Sequence, residues 1–454
     1  MHILPFYSGV CSYIRKNIIY FINTDKRTWA AMPESWVKFL NDSSSKRYRE
    51  IYDALSESEI FISIPPKRKV KPSVKPLLVT LTTTGKCNLR CLYCFNSMSI
   101  RDKSMTPDVL RDAVNYAFSN PYAKNGISFS IYGGEPLMER GLLYEAVRLI
   151  RGRDKDFSAN IEVVTNGTLL TDEDIEFFSR HNVIVTMSFD GLPVFQNKNR
   201  PDVLGNPCAE RVLNSAELLK KHGCMSRSNV LCTVTHDMTE YLCDIAYFLQ
   251  DKGINAVEFL PVRRIGQAEN HEELLSDSEA YVKSFIKLID SIKSGRITRL
   301  KIRSVLRMIM PLLTGQTVYG ELSGHRCGAG RNSIVIGYDG SIRGCDMLPD
   351  SVSPVIGDIW NGINDLDKLD ELISSEAQFS PQCRKCPWRC FCNNSCPGES
   401  ASDCGSCGSH HVLKCVLNRT AYPYILESIV TGNGELQRYF SLHTNQGASR
   451  HENC

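Results

Sequence analysis

Three cysteines crowd the stretch TTTGKCNLRCLYCFN, residues 82–96: Cys87, Cys91 and Cys94, spaced C-x3-C-x2-C. A structural zinc site takes four protein ligands, and a catalytic one takes three and a water. An iron–sulfur cubane takes four thiolates, one per iron. Three thiols on one short loop, with no fourth close by in sequence, point to a metal centre with one coordination position left open.

A second field of thiols lies further on. Of nineteen Cys, ten fall from Cys327 to Cys415, and eight of those follow residue 382. The other six outside the first loop (Cys11, Cys208, Cys224, Cys232, Cys243 and Cys454) are scattered and read as small buried hydrophobes. The start, MHILPFYSGVCSYIRK, lacks the basic and apolar regions of a signal peptide. Disulfides are therefore not expected, clustered thiols mean metal, and the expected location is the cytoplasm. A net charge of +3 over 454 residues makes no case for nucleic acid or an anionic membrane as partner. No apolar run approaches the ~18 residues of a membrane span.

The elements that must position these thiols alternate. Apolar, β-branched runs occur at LLVTL (77–81), ISFSIY (127–132), IEVVT (161–165), VIVTMSF (183–189), NVLCTVT (229–235) and AVEFL (256–260). Between them, TPDVLRDAVNYAF, ERGLLYEAVRLI, AERVLNSAELLKKHG and TEYLCDIAYFLQDKG carry apolar residues at helical spacing. Six βα units in series predict a parallel sheet with outer helices, either an incomplete barrel or a doubly wound sheet. Ligands bind such sheets at the carboxyl ends of the strands. The three-Cys loop, YGGEP (132–136), TNGT (165–168) and SFDG (188–191) each follow a strand and so share that edge. Singly, the last three read as ordinary turns.

CNLRCLYC followed in order by YGGEP, TNGT and SFDG resembles the radical S-adenosylmethionine enzymes over residues 77 to about 265. The resemblance implies an α/β fold, a partial (β/α)6 TIM-like barrel. It implies that Cys87, Cys91 and Cys94 hold a [4Fe–4S] cluster whose fourth iron is chelated by S-adenosylmethionine. An electron delivered by an external reductant such as flavodoxin or ferredoxin then yields a 5′-deoxyadenosyl radical that abstracts hydrogen. By the same resemblance Tyr93 packs near the adenine. Gly133, Gly134 and Glu135 receive the methionine amino group, Ser188 and Asp190 lie near the ribose and carboxylate, and Arg200 faces the cofactor. A solvated loop charge is the plain alternative for Arg200.

The second field resembles the SPASM module, a Cys-rich, auxiliary-cluster domain of peptide- and protein-modifying members. Cys327, Gly340 and Cys345 match its first half; Cys383, Cys386, Cys392, Cys396 and Cys415 match its second. The resemblance assigns Cys383, Cys386, Cys392 and Cys415 to one auxiliary [4Fe–4S] cluster and Cys327, Cys345 and Cys396 to another, three clusters in all. The cysteine that relatives place before position 327 is missing from TVYGELSGHR, and Cys390, Cys404 and Cys407 exceed the pattern. Zinc in paired C-x2-C spacings is the bland alternative. Asp346, directly after Cys345, matches the general base of sulfatase-maturing relatives; alternatively it only shapes its loop.

Residues 1–74 resemble the small α+β, winged-helix-like domains that capture leader peptides. NIIYFIN and RTWAAM read as strands joined by TDKR, helices follow, and PPKRKVKPSVKP reads as an extended linker. NIIYFIN is expected to offer an open sheet edge; a mere cap on the barrel is the alternative. The expected domains are 1–74, a barrel over 75–300, the auxiliary-cluster domain over 301–425 and a tail over 426–454. The implied function is maturation of a ribosomally made precursor peptide by a thioether or carbon–carbon crosslink, with the leader held by the N-terminal domain. A formylglycine-generating sulfatase maturase and a non-enzymatic iron–sulfur electron carrier are the alternatives.

Overall fold

The computed structural model describes residues 10–41, 44–58, 60, 76–96, 102–154, 156, 158–315, 328–345, 355–365, 367, 383, 386–392 and 412–444. All six expected strands are present: β4 (Leu77–Thr84), β5 (Ile127–Gly133), β6 (Asn160–Thr165), β7 (Val183–Ser188), β8 (Ser228–Val234) and β9 (Ala256–Pro261). They lie side by side in chain order and every neighbouring pair is parallel. A doubly wound sheet would reverse its strand order at a switch point. This one does not, so it is an arc of a β/α barrel. The arc stays open, because β4 pairs on its outer side with β11 (Ser333–Ile336) rather than with β9.

The helices form where local chemistry predicts. In α2 (Pro107–Ser119) the Thr106 side chain caps the Val109 N–H and Pro107 occupies the first turn. Leu110, Ala113, Val114 and Ala117 face inward. Between β6 and β7, α4 (Asp172–Arg180) opens on a capping box of Thr171 and Asp174, a signal not used in reading the sequence. The helices before β8 and β9, Ala209–Lys221 and Leu242–Asp251, are followed by Gly223 and Gly253 in the left-handed region.

Past residue 300 the barrel continues. Strand β10 (Lys301–Ile302) pairs with β9, and the helix Arg303–Thr314, here α9, packs behind it. On the opposite edge, β11, β12 (Ser341–Arg343), β13 (Val355–Asp358) and β14 (Gly362–Ile363) extend the same sheet. The auxiliary field thus begins as a continuation of the barrel sheet. Residues beyond 425 differ from the expected tail. The helix Val412–Thr431 crosses that point, and the helix Glu435–Thr444 buries Leu436 and Tyr439. The Tyr439 hydroxyl donates to the Leu300 carbonyl and accepts from the Ile302 N–H, both at 2.8 Å.

The N-terminal segment forms an antiparallel sheet of β1 (Val10–Arg15), β2 (Ile18–Asn23) and β3 (Thr28–Pro33), followed by a 3-10 turn and α1 (Lys46–Glu57). NIIYFIN is the central strand, paired on both sides, so the expected open edge falls instead on β1 and β3. The reading missed β1, whose two-residue turn places Lys16 and Asn17 at positive φ. One sheet face packs Phe21 and Met32 on Ile51 and Leu55 of α1. The other turns Tyr20 and Ile22 into the main core.

Candidate active site

The three-Cys loop leaves β4 at its carboxyl end and is held from two sides. Arg90 and Leu92 donate their N–H groups to Pro201 and Asn199, and Val203 donates to Asn88, so residues 199–203 clasp it. On the other side lies the Gly133–Gly134 pair. A Cβ at Gly134 would stand 2.3 Å from the Lys86 carbonyl oxygen and 2.5 Å from that of Gly85. The missing side chain at Gly134 therefore lets it lie against the backbone that leads into Cys87. Gly134 N–H donates to Thr84 and Glu135 N–H to Lys86, both at 2.7 Å. Because backbone cannot move aside cheaply, Gly134→Ala should cost about 1–3 kcal/mol. It should also lower reductant-driven S-adenosylmethionine cleavage about 10-fold; cleavage at the wild-type rate would show that the loop can yield.

Cys87, Cys91 and Cys94 line one cavity at this edge, with Tyr93, Gly133, Gly134, Ser188 and Arg200. Burial raises the Cys87 thiol and pushes Cys91 up to about 12, with the Arg200 cation pulling Cys91 down. Iron binding would have to displace these protons. Among the described residues no three His, Cys, Asp or Glu side chains converge for a single metal ion. Thiolates that each take a different iron need no such convergence. The donor set thus fits a cubane with one open iron, and the adjoining space fits that iron's partner. Apolar Leu260, Val262 and Ile265 form one wall, and Phe95 stacks on Tyr132 at 5.7 Å at another. Those aromatic walls were not singled out from the sequence, since Phe95 and Tyr132 read as loop and strand residues.

Two expected cofactor residues stand behind the wall rather than on it. Glu135 is fully buried; its carboxylate accepts from the Leu137 and Asn166 N–H groups and from the Thr165 hydroxyl. Burial raises it to about 7 in spite of those donors. It ties the ends of β5 and β6 together and is not among the residues that line the cavity. Asp190 is likewise fully buried. It accepts from the Tyr93 hydroxyl, from Arg200 Nε at 3.2 Å and from the Thr233 N–H at 3.2 Å. Its place is to hold Tyr93 and Arg200, which do reach the cavity. Arg200 is 7% exposed, which removes the solvated-charge alternative.

Asn166 of TNGT is a further site residue whose role a turn dipeptide hid. Its side-chain amide donates to Asn88 Oδ1 at 2.8 Å and lies 3.9 Å from Cys87 Sγ, while its carbonyl accepts from the Thr168 hydroxyl. Asn88 donates to Thr168 in turn. This closed ring of bonds orients the first thiol.

In the second field, Cys383 and Cys386 lie near Cys415 on the Val412–Thr431 helix, close enough for their charges to interact. Cys392 accepts from the Asn418 amide at 2.8 Å. Cys390 is buried between Trp388 and Phe391 and faces the core. Cys345 follows β12 and is half-buried. Cys327, Asp346, Cys396, Cys404 and Cys407 lie outside the described residues. Of the scattered thiols, Cys208 and Cys232 are buried, and Cys11, Cys224 and Cys243 are partly exposed. All fourteen described cysteines are free of disulfides.

An open β/α arc thus presents three thiols to a cavity at the carboxyl ends of its strands. Residues 81–246 match the Radical SAM superfamily model. Those residues form a radical SAM domain. The chain is 26% identical over 343 residues (70% of this chain, 88% of the relative) to a cysteine-type anaerobic sulfatase-maturating enzyme of Clostridium perfringens. It is 25% identical over 340 residues (70% and 66%) to the antilisterial bacteriocin subtilosin biosynthesis protein AlbA of Bacillus subtilis. Among solved structures it resembles native anSMEcpe with bound AdoMet, at a TM-score of 0.65 and 23% identity, covering 82% of this chain and 100% of that one. It also resembles Streptococcus suis SuiB bound to precursor peptide SuiA, at 0.56 and 14%, covering 90% and 99%.

Proposed function

We propose that this enzyme matures a ribosomally made precursor peptide, abstracting hydrogen from one residue and leaving a thioether or carbon–carbon crosslink. The observation that carries the reading is the N-terminal sheet, packed on the barrel with strands β1 and β3 outermost. An extended leader can add to such an edge, which supplies affinity through backbone hydrogen bonds. The named activity of AlbA and the peptide bound to SuiB support the same reading. In it, Cys87, Cys91 and Cys94 hold the cluster that binds S-adenosylmethionine. Tyr93, Ser188 and Arg200 line the cofactor's space, the Gly133–Gly134 backbone borders it, and Asp190 and Glu135 hold those groups in place. When bound and reduced, the cluster and S-adenosylmethionine together supply the hydrogen-abstracting radical. Cys383, Cys386, Cys392 and Cys415 hold one auxiliary cluster; Cys327, Cys345 and Cys396 hold the second. An external flavodoxin or ferredoxin supplies electrons, and the thiol-rich chain works in the reducing cytoplasm.

The sulfatase-maturase reading has its own support, in the names of the sulfatase-maturating relatives. The reduced enzyme should therefore be given both the short peptides encoded beside its gene and a sulfatase-derived peptide bearing Cys or Ser. A crosslink removes a pair of hydrogens and leaves nothing for an aldehyde reagent, whereas formylglycine reacts with one. Aldehyde formation in the sulfatase peptide alone would replace the first reading with the second. In either case Asp346→Asn should lower product per 5′-deoxyadenosine about 100-fold, as loss of a general base does. An unchanged ratio would remove Asp346 from the mechanism.

A further inference from the structure

Leu260, Pro261 and Arg263 separate the thiol-lined cavity from a second one and line both. The second cavity lies between β9, α9 and the Val412–Thr431 helix, with Cys392 and Asn418 at its auxiliary side. On its barrel side, Glu258 is 5% exposed and pairs through Oε1 with Arg307. Its Oε2 finds no hydrogen-bond partner among the described residues, and neither does the buried Ser304 hydroxyl in the same wall. Ser304 and Arg307 are three apart on α9 and share one face, so the serine stands beside the guanidinium that grips Glu258. Burial raises Glu258 above the ordinary carboxylate range against the pull of Arg307, Arg303 and Lys414. Two buried polar atoms without a protein partner on one wall are costly unless something meets them.

The charges narrow what that is. Arg263, Arg307 and Lys414 line the cavity with its single carboxylate, so another cation is disfavoured. An anion would bring no donor to Glu258 Oε2. A neutral group offering a donor beside an acceptor satisfies both atoms, and a secondary amide is such a group. We infer that this cavity holds one amide unit of the peptide substrate, its N–H on Glu258 Oε2 and its carbonyl on the Ser304 hydroxyl. The shared wall then sets which neighbouring residue enters the thiol-lined cavity. The inference rests on the peptide-substrate reading above and adds the residues that fix register.

The test uses holoenzyme reconstituted anaerobically and loaded with S-adenosylmethionine, with a random peptide display library as probe. Peptides enriched on the wild type are measured by fluorescence anisotropy against E258A, E258Q and S304A. Losing a hydrogen bond to a charged group should weaken binding about 10- to 100-fold in E258A. S304A should lose about 3- to 10-fold and E258Q least, because its side chain keeps an oxygen. N-methylation of the docked amide should weaken wild-type binding by the E258A factor and cause no further loss in E258A. Iron content and the denaturant midpoint report folding, and S304A, which strands no charge, decides the matter if E258A does not fold. Failure of the library to enrich any peptide, or equal affinity for wild type and S304A, overturns the inference; equal affinity is also what a bound water filling the site would give. Peptides that bind through Glu258 but emerge unmodified would defeat the maturase reading and leave this inference standing.

Discussion

The triple replacement of Cys87, Cys91 and Cys94 by Ala is expected to abolish 5′-deoxyadenosine formation while iron stays bound in the C-terminal field. Thiolate ligation needs the sulfur, and no described residue lining the cavity offers a substitute: its polar side chains, among them Asn96, Asn166, Ser188 and Arg200, do not ligate cubanes. The two thiol fields sit on different elements, the first on the loop after β4 and the second around Cys386 and the Val412–Thr431 helix. Loss of one should not unfold the other. Iron and sulfide analysis beside a reductant-driven cleavage assay reads both halves. From three cubanes to two, iron should fall from about twelve to about eight per chain, at four irons each. Cleavage that persists in the triple variant would mean that the cofactor is bound elsewhere. Stoichiometric zinc in the C-terminal field would remove the auxiliary clusters.

Much of this was legible in the sequence because strand and ligand signals agree. The six apolar runs are largely buried and bounded by turn residues, so their existence and order follow from the sequence pattern alone. Whether they form a barrel or an open wound sheet does not, since that depends on which strands pair. The chain-order pairing of β4 to β9 decides it. Direction of side chains was legible only in part. In YGGEP and SFDG the motif places Glu135 and Asp190 at the right edge, but a residue's rotation about the backbone is set by tertiary hydrogen bonds. Three donors turn Glu135 away from the cavity, and Arg200 and Tyr93 do the same for Asp190.

The N-terminal segment shows a different limit. Alternation found β2 and β3, yet VCSYIR carries Arg15 and Ser12 among its apolar residues and does not announce a strand. Its pairing with β2 makes β2 central. Packing was likewise hidden. Trp29 Nε1 donates to the Leu312 carbonyl at 2.7 Å, Tyr13 meets Trp388 edge-on at 5.6 Å, and Arg15 and Lys16 pair with the buried Glu427. These contacts join residues 283 or more positions apart, beyond the reach of any window. Removal of residues 1–74 would bare that apolar surface, so deletion is a poor probe of leader capture here.

Asp190→Ala is the single substitution expected to cost most. The carboxylate is fully buried and accepts from Arg200, Thr233 and Tyr93, while its own N–H donates to Gln196 Oε1 at 2.9 Å. Arg200 is nearly as deep, and Asp190 is its ion-pair partner. Stripping that partner leaves a buried guanidinium without its counter-charge, which typically costs about 3–5 kcal/mol. The same loss frees the Tyr93 ring, over which Arg200 sits at 5.2 Å, and loosens the cation that draws the Cys91 thiol downward. Asp190→Ala should therefore lower the denaturant midpoint and weaken S-adenosylmethionine binding at least about 10-fold, read by equilibrium dialysis on reconstituted enzyme. Asp190→Asn keeps the shape and one acceptor oxygen, and its amide can donate to the Tyr93 hydroxyl. It should fall between wild type and Ala in both readouts. Arg200→Met separates positioning from direct contact, since it removes the cation and leaves Asp190 with two donors. If Asp190 acts by holding Arg200, Arg200→Met should lose cofactor affinity by a factor close to that of Asp190→Ala. Wild-type affinity in Asp190→Ala would show that Arg200 keeps its place without its partner.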